Sequence, residues 1–451
     1  MKPLSYRLLY TSNTITQWFK RRFTALGMGI IIFMIVSAMI GIDTKQTMAY
    51  QIFAFLLAMI GIAILWSLRF STPWNGSRRD RFTVSRTLPK FGTVNTRLQY
   101  SILFENRTSK QQIGLQIKEK FVDPRPSRAD LNKYLRSFPR TSRFVSLTII
   151  YYRWIKLIKR NQGATTKAVK LPTIAPRSKT KTMVELMPSR RGIIRLAGVT
   201  IARPDPLGIF NACKTLSLPQ SILILPKRYQ IPHFELSGAR QAQSGNVSLA
   251  SSVGDSEEFM SLRDYRPGDP LRKIHWKSWA KTDKPVVREE QAEFFVRHAL
   301  ILDTFQTAEY SEILEEAVSV AASFACDFQT QESLLDLMFV AESAYCFTSG
   351  RGLGNTEQML EILACVKACQ DKSFESLTSK VMERISLLSG CICVLITWDE
   401  ERKKLVRYLE SLKVPTLVLV ISETEPKDRF EFKNLHWLEM GKVPESLMQV
   451  S

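Results

Sequence analysis

Between Gly254 and Phe294 the chain crowds Arg263, Asp264, Arg266, Asp269, Arg272, Lys273, His275 and Lys277 around Tyr265 and Trp276. Three chemistries suit such a cluster. Arginine beside aromatic rings makes a protein-docking surface, because these side chains dominate binding hot spots. Guanidinium and ammonium groups together make an anion or phosphate site. His275 has the side chain of a general base, but the sequence offers it no obvious nucleophile. A fourth reading is structural: a buried network of ion pairs and hydrogen bonds that clamps the segment onto the domain after it. Pro267-Gly268-Asp269 is then ordinary turn chemistry.

Several enzyme classes are excluded by their missing motifs. The chain has no Walker A glycine loop, so hydrolysis of ATP by this chain alone is not expected. It has no Gly-x-Ser-x-Gly elbow and no His-Glu-x-x-His. Of seven cysteines, six lie in the last third: Cys326, Cys346, Cys365, Cys369, Cys391 and Cys393. An odd number in mostly apolar runs fits buried free thiols in a reducing compartment. A zinc site from the last four is the alternative, though no pair has knuckle spacing.

The elements that position the cluster begin at the membrane. Phe23 to Ile42 and Gln46 to Leu68 carry no charge, and each reaches the roughly 20 residues that cross a bilayer. Backbone groups in lipid satisfy one another only in a helix or a closed barrel, so a helical hairpin over 23–68 is predicted. A cleaved signal peptide is the alternative for the first span; the immediate second span argues against it. Lys2, Arg7, Lys20, Arg21 and Arg22 precede the hairpin with no acid among them; Arg69, Arg78, Arg79, Arg81, Arg86 and Lys90 follow it. That bias predicts a multi-pass protein of the inner (cytoplasmic) membrane, with the basic N-terminus 1–22, the C-terminus and the main body in the cytoplasm.

Charge divides the chain of 451 residues. Up to His298 there are 49 Lys and Arg against 18 Asp and Glu; beyond it there are 14 against 24. The basic part meets an anionic leaflet most simply. Nucleic acid is not expected, since none of its binding motifs accompanies the charge. Residues 71–230 show short β-branched and aromatic runs split by turns, predicting an antiparallel, sandwich-like β-domain. A basic insertion at about 123–170 includes Phe144–Ile158. It reads as a β-hairpin arm or long loop, with a segment lying in the membrane interface as the alternative. Residues 231–298 hold a linker and the charged cluster. From 299 to 441, apolar strands alternate with helices, predicting a mostly parallel sheet covered on both faces.

Gly254, Glu258 and Phe259, then Leu262, Arg263, Tyr265, Gly268, Asp269 and Arg272, then Ile274, His275, Trp276, Lys277, Ala280 and Glu289 together resemble the signature of the bacterial domain-of-unknown-function 58 family. Arg191-Gly192 and Asp205-Pro206-Leu207-Gly208 resemble its β-region. The resemblance implies a membrane-anchored, non-enzymatic adaptor whose C-terminal domain is von Willebrand factor A-like. Its partners would be a MoxR-type AAA+ ATPase and client proteins under assembly or maturation. That fold usually carries a metal-ion-dependent adhesion site. Here Asp303, Thr307, Thr356 and Asp399 fall at its positions, and Phe305 replaces a serine. A phenyl ring cannot ligate a hard cation, so the site reads as degenerate: no resident cofactor, or Mg²⁺ with extra waters. Two rival functions stay open. One is a metal-dependent hydrolase using Asp303, Asp399 and His275; the other is a binder of anionic lipid or nucleic acid through the basic front.

Overall fold

The computed structural model describes residues 3–41, 47–71, 82–136, 147–232, 257–269, 271, 274–282, 284–292, 297–327, 334–350, 356–426, 428, 431–432 and 434–450. The chain forms two compact units: Met1–Lys227 with Leu360–Val366, and Arg228–Met359 with Lys367–Ser451.

The first unit opens with three helices: α1 (Pro3–Arg22), α2 (Ala25–Ile40) and α3 (Thr47–Ser71). Among the described residues, one helical stretch is long and apolar enough to cross a membrane, Met48–Ser67 of α3. The predicted first span is shorter than its uncharged run. Thr24 is extended and caps α2, its hydroxyl accepting from the Gly27 N–H at 3.1 Å. Helix therefore starts at Ala25, and α2 covers 16 residues. Both helices are apolar on every side, and side chains such as Met39 and Phe55 are exposed. A helix apolar all round has no water-facing side. They share an apolar cluster that includes Ile31, Met34, Ile60 and Ala63, and the Ser37 hydroxyl donates to the Ala49 carbonyl at 2.6 Å. The loop expected at 43–45 lies outside the described residues.

The β-domain is a sandwich. One sheet contains β1 (Phe82–Thr87), β3 (Leu98–Asn106), β7 (Lys179–Pro188) and β5 (Ala164–Thr166), in that order. The other contains β2 (Phe91–Thr93), β9 (Asn211–Leu225), β8 (Gly192–Pro204), β4 (Gln116–Phe121) and β6 (Val169–Lys170). Most pairings are antiparallel; β2 runs parallel to β9. Alternation places Tyr100, Ile102 and Phe104 of β3 inward, against Ile117, Leu196, Val199 and Ile201 of the facing sheet. The β8–β9 ribbon shifts register between Leu196 and Gly198. A Cβ on Gly198 would lie 2.1 Å from the Leu216 carbonyl oxygen, so the bulge requires glycine.

The basic insertion is helical, which corrects the expected hairpin arm or loop: α4 (Arg128–Arg136) and α5 (Leu147–Gln162). Trp154, Leu157 and Ile158 of α5 bury with Leu131 of α4 and Leu9 of α1. These positions recur at helical spacing, so burial of one helix face overrides the strand-forming Ile and Tyr residues.

The second unit begins with a two-stranded hairpin, β10 (Glu257–Asp264) and β11 (Val286–Ala292), with α6 (Trp276–Thr282) between them. A six-stranded sheet follows, ordered β14-β13-β12-β15-β16-β17. Its strands are β12 (Arg297–Leu302), β13 (Leu334–Val340), β14 (Ala344–Ser349), β15 (Gly390–Leu395), β16 (Thr416–Ser422) and β17 (Leu435–Glu439). All pairs are parallel except β13–β14. The helices are α7 (Glu312–Asp327), α9 (Glu375–Met382), α10 (Glu400–Ser411) and α11 (Val443–Leu447); α8 (Thr356–Cys365) starts in this unit and from Leu360 on belongs to the first. Every residue of β13 and β15 is buried, as expected of strands covered on both faces.

Candidate functional site

The charged cluster is built on the β10–β11 hairpin. Gly268 takes φ +109, a region open to glycine, and its turn closes through the Asp269 N–H donating to the Arg266 carbonyl. The turn aims Asp269 back at β10. Arg263 grips it with both terminal nitrogens, Nη1 to Oδ2 at 2.7 Å and Nη2 to Oδ1 at 2.8 Å. The Arg266 backbone N–H adds a third bond at 2.9 Å. Arg263 thereby holds the Asp269 carboxyl down to about 2. Ile274, Val286 and Val287 bury beneath, and the His275 N–H donates to the Val286 carbonyl at 2.8 Å. Half of the signature is thus an internal brace: Arg263, Gly268 and Asp269 shape the hairpin.

The other half faces outward. Trp276 is 63% exposed and stacks on Trp279 at 5.2 Å between ring centres. Lys277 and Asp264 are exposed; Tyr265 is half-buried. His275 Nδ1 lies 2.7 Å from the Ser278 hydroxyl, and its partner among the described residues is that hydroxyl rather than Asp303 or Asp399. Arg272 and Gly254 lie outside the described residues, as do the side chains of Glu258 and Phe259.

At the C-terminal ends of β12 and β15 the structure brings Asp303 and Asp399 together, but around an arginine. Arg402, in the first turn of α10, donates to Asp303 through Nε and Nη2, both at 3.1 Å, and to Asp399 through Nη1 at 2.7 Å. Asp303 has no exposed surface, and it also accepts the Phe305 N–H at 3.0 Å and the Ile396 N–H at 3.4 Å. Burial pushes its carboxyl up, and the Arg402 bonds and charge oppose that shift. The guanidinium lies 4.2 Å from the Phe374 ring centre, and Phe305 joins the same apolar cluster. Thr307 is exposed, and its carbonyl accepts from Gln370. Among the described residues, the buried Thr356 hydroxyl has no hydrogen-bond partner. These residues do not fit Mg²⁺, the alternative to a degenerate site: the carboxylates enclose a fixed positive charge, and a phenyl ring stands where an oxygen donor is needed. Among the described residues, no group of three or more His, Cys, Asp or Glu is placed to hold an ion.

Arg402 was missed at the sequence level, although Asp399-x-x-Arg402 at the start of a charged helix carried the signal. Asp399 caps that helix, accepting the Arg402 N–H at 3.1 Å, so cap and ion pair use one carboxylate. The four cysteines weighed as a zinc site have other surroundings. Cys369, Cys391 and Cys393 are buried in the apolar cluster, and Cys365 is exposed. Burial pushes the Cys391 thiol up to about 12, which suits an inert core thiol.

His298, at the first turn into the sheet on β12, is 3% exposed, and burial holds its imidazole down at about 4. A folded-state value below the unfolded one means the folded unit resists protonation. Its stability is full above about pH 6.5 and falls as pH drops toward 4, by about 3 kcal/mol in the limit. Native-state proteolysis mapped to residues 297–450 should show this slope between pH 7.5 and 4.5. His298→Leu should flatten the part of the slope that exceeds ordinary carboxylate titration; an unchanged slope would refute it.

Residues 261–428 match the family described as "Protein of unknown function DUF58". A curated relative, "Uncharacterized protein YeaD" of Bacillus subtilis (strain 168), is 25% identical over 180 residues, covering 40% of this chain and 44% of the relative. The chain thus spans under half the length of that relative. Two solved structures of the CARDB domain of the PF1109 protein from Pyrococcus furiosus also align. One, in complex with di-metal ions, covers 34% of this chain at 10% identity and a TM-score of 0.18. The other, determined in solution, covers 32% at 7% identity and 0.15. Similarity at those scores decides nothing about this chain.

Proposed function

We propose that this chain is a membrane-anchored, non-enzymatic adaptor that docks a partner through the exposed face of its signature hairpin. The observation that carries the reading is the stacked pair Trp276–Trp279, presented beside Lys277 on a hairpin braced by Arg263 and Asp269. An exposed tryptophan backed by a half-buried one on a braced hairpin is the kind of anchor that dominates protein interfaces. The reading has the α2–α3 pair crossing the inner membrane, both termini and the body cytoplasmic, and the six-stranded domain of von Willebrand factor A type. The partner proposed is a MoxR-type AAA+ ATPase, acting with this chain on clients under assembly or maturation. The internal pairing of Asp303 and Asp399 with Arg402 supports docking over metal-dependent hydrolysis.

A pull-down of the full chain from solubilised membranes, with and without ATP, tests this. Recovery of a AAA+ ATPase is expected, falling at least about tenfold with Trp276→Ala, since a central aromatic anchor contributes 2 kcal/mol or more. Arg263→Ala should weaken capture by loosening the hairpin. Capture of no ATPase, or capture indifferent to Trp276, would end this reading.

A further inference from the structure

We infer that α1 and α5 form a second membrane contact: a helical platform that lies on the anionic bilayer surface beside the membrane helices. The inference rests on the proposed anchoring and deepens it. No Asp or Glu occurs before Asp43, and none occurs within α5. The two helices bury one face each against the other, with Leu9 of α1 and Trp154, Leu157 and Ile158 of α5 in a shared core. Each leaves a second apolar face uncovered. On α1, Leu8, Ile15 and Trp18 are 62%, 57% and 47% exposed and share one side at helical spacing, ahead of Lys20, Arg21 and Arg22. On α5, Ile149 and Tyr152 are exposed in line with exposed Lys156 and Lys159.

Charge complementarity names the occupant. An apolar and aromatic stripe edged by lysine and arginine is the composition of a helix lying in the headgroup region of acidic lipid. Of the acids near the platform, Asp123 is paired with Arg125 at 2.5 Å, and Asp130, which accepts from the Ser127 hydroxyl at 2.7 Å, keeps its charge among a larger number of lysines and arginines. Position agrees as well. Only Phe23 and Thr24 separate α1 from α2, and Trp18, Phe19 and Phe23 form a chain of ring contacts at the foot of the apolar helices. Aromatic rings are enriched at that level of a bilayer.

The test uses the full chain in nanodiscs of phosphatidylglycerol mixed with phosphatidylcholine. A diazirine near the glycerol backbone of the phosphatidylglycerol tags nearby residues on illumination, and the tags are mapped by mass spectrometry. Tags are expected on α3, and also on Leu8–Trp18 and around Tyr152. Lys156→Glu with Lys159→Glu should cut the α5 tags roughly tenfold and leave those on α3 unchanged. Tags on α3 with none on α1 or α5 would overturn the platform and keep the anchor, leaving the stripe to a protein partner. Equal tagging of α1 and α5 by a phosphatidylcholine probe, indifferent to the Glu changes, would overturn the role of charge. Absence of tags on α3 would instead overturn the anchoring itself.

Discussion

Arg402→Ala should destabilise the six-stranded unit by about 3–5 kcal/mol, because it leaves a buried carboxylate without its counter-charge. Asp303 has no exposed surface and makes two of its four hydrogen bonds to Arg402; the other two come from backbone N–H groups, which do not neutralise it. Native-state proteolysis mapped to residues 297–450 measures the loss with the full chain intact. Replacing both members, Asp303→Asn with Arg402→Met, should recover much of it, since an uncharged pair carries no desolvated ion. A small effect from the single change would show that the pair is solvated. Addition of Mg²⁺ or its chelation should leave the wild type unmoved. Stabilisation by Mg²⁺ would mean the carboxylates release Arg402 to take an ion.

The second large effect is expected in the β-sandwich. Arg86 on β1 and Glu119 on β4 come from opposite sheets and are wholly buried. They pair bidentately, Nη2 to Oε2 at 2.7 Å and Nε to Oε1 at 3.0 Å. The Tyr100 hydroxyl donates to the same carboxylate at 2.9 Å, and Gln220 accepts from Arg86 at 3.0 Å. Burial pushes the Glu119 carboxyl up, against the Arg86 charge. Glu119→Ala strands a guanidinium and a phenol, so a loss of about 3–5 kcal/mol is expected, read as faster proteolysis of residues 82–225. Arg86→Met with Glu119→Leu should cost far less. If the double replacement is as damaging as the single, the network is holding the two sheets in register and not merely paired.

Which parts of this were legible in the sequence follows from where burial leaves a mark. β13 and β15 are buried throughout, and their apolar runs announced them. β14 and β17 are half-exposed edge strands, and Ala344–Ser349 and Leu435–Glu439 have too little alternation to stand out. In β9 the end, Ser221–Leu225, carries a clear apolar run, whereas Pro219 and polar residues fill its middle. In the fold it runs 15 residues beside β8. The insertion misled because Ile149, Ile150, Tyr151 and Tyr152 favour strands locally, while the packing partner that makes them helical, Leu9, lies far away in sequence. In the site, Asp303 and Asp399 were set side by side by the family resemblance, and the structure has both carboxylates on Arg402. The i,i+3 spacing of Asp399 and Arg402 carried the local half of the arginine's pairing; its reach to Asp303, 99 residues away, was not legible, since no spacing rule joins a helix to a neighbouring strand.

The tip of the β8–β9 ribbon has a mechanical consequence. Asp205 fastens the tip by accepting the N–H groups of Ile209 and Phe210 at 2.6 and 2.8 Å, and Gly208 turns it with φ +69. The tip's carbonyls then take the Thr24 hydroxyl and N–H, and a Cβ on Gly27 would stand 2.2 Å from the Ile209 oxygen. No side chain intervenes between this ribbon and the first turn of α2, and there is no slack to take up. Ribbon and helix therefore act as one rigid lever: a tilt of either is a tilt of both, and a load on the sandwich reaches the apolar helix without a hinge to absorb it.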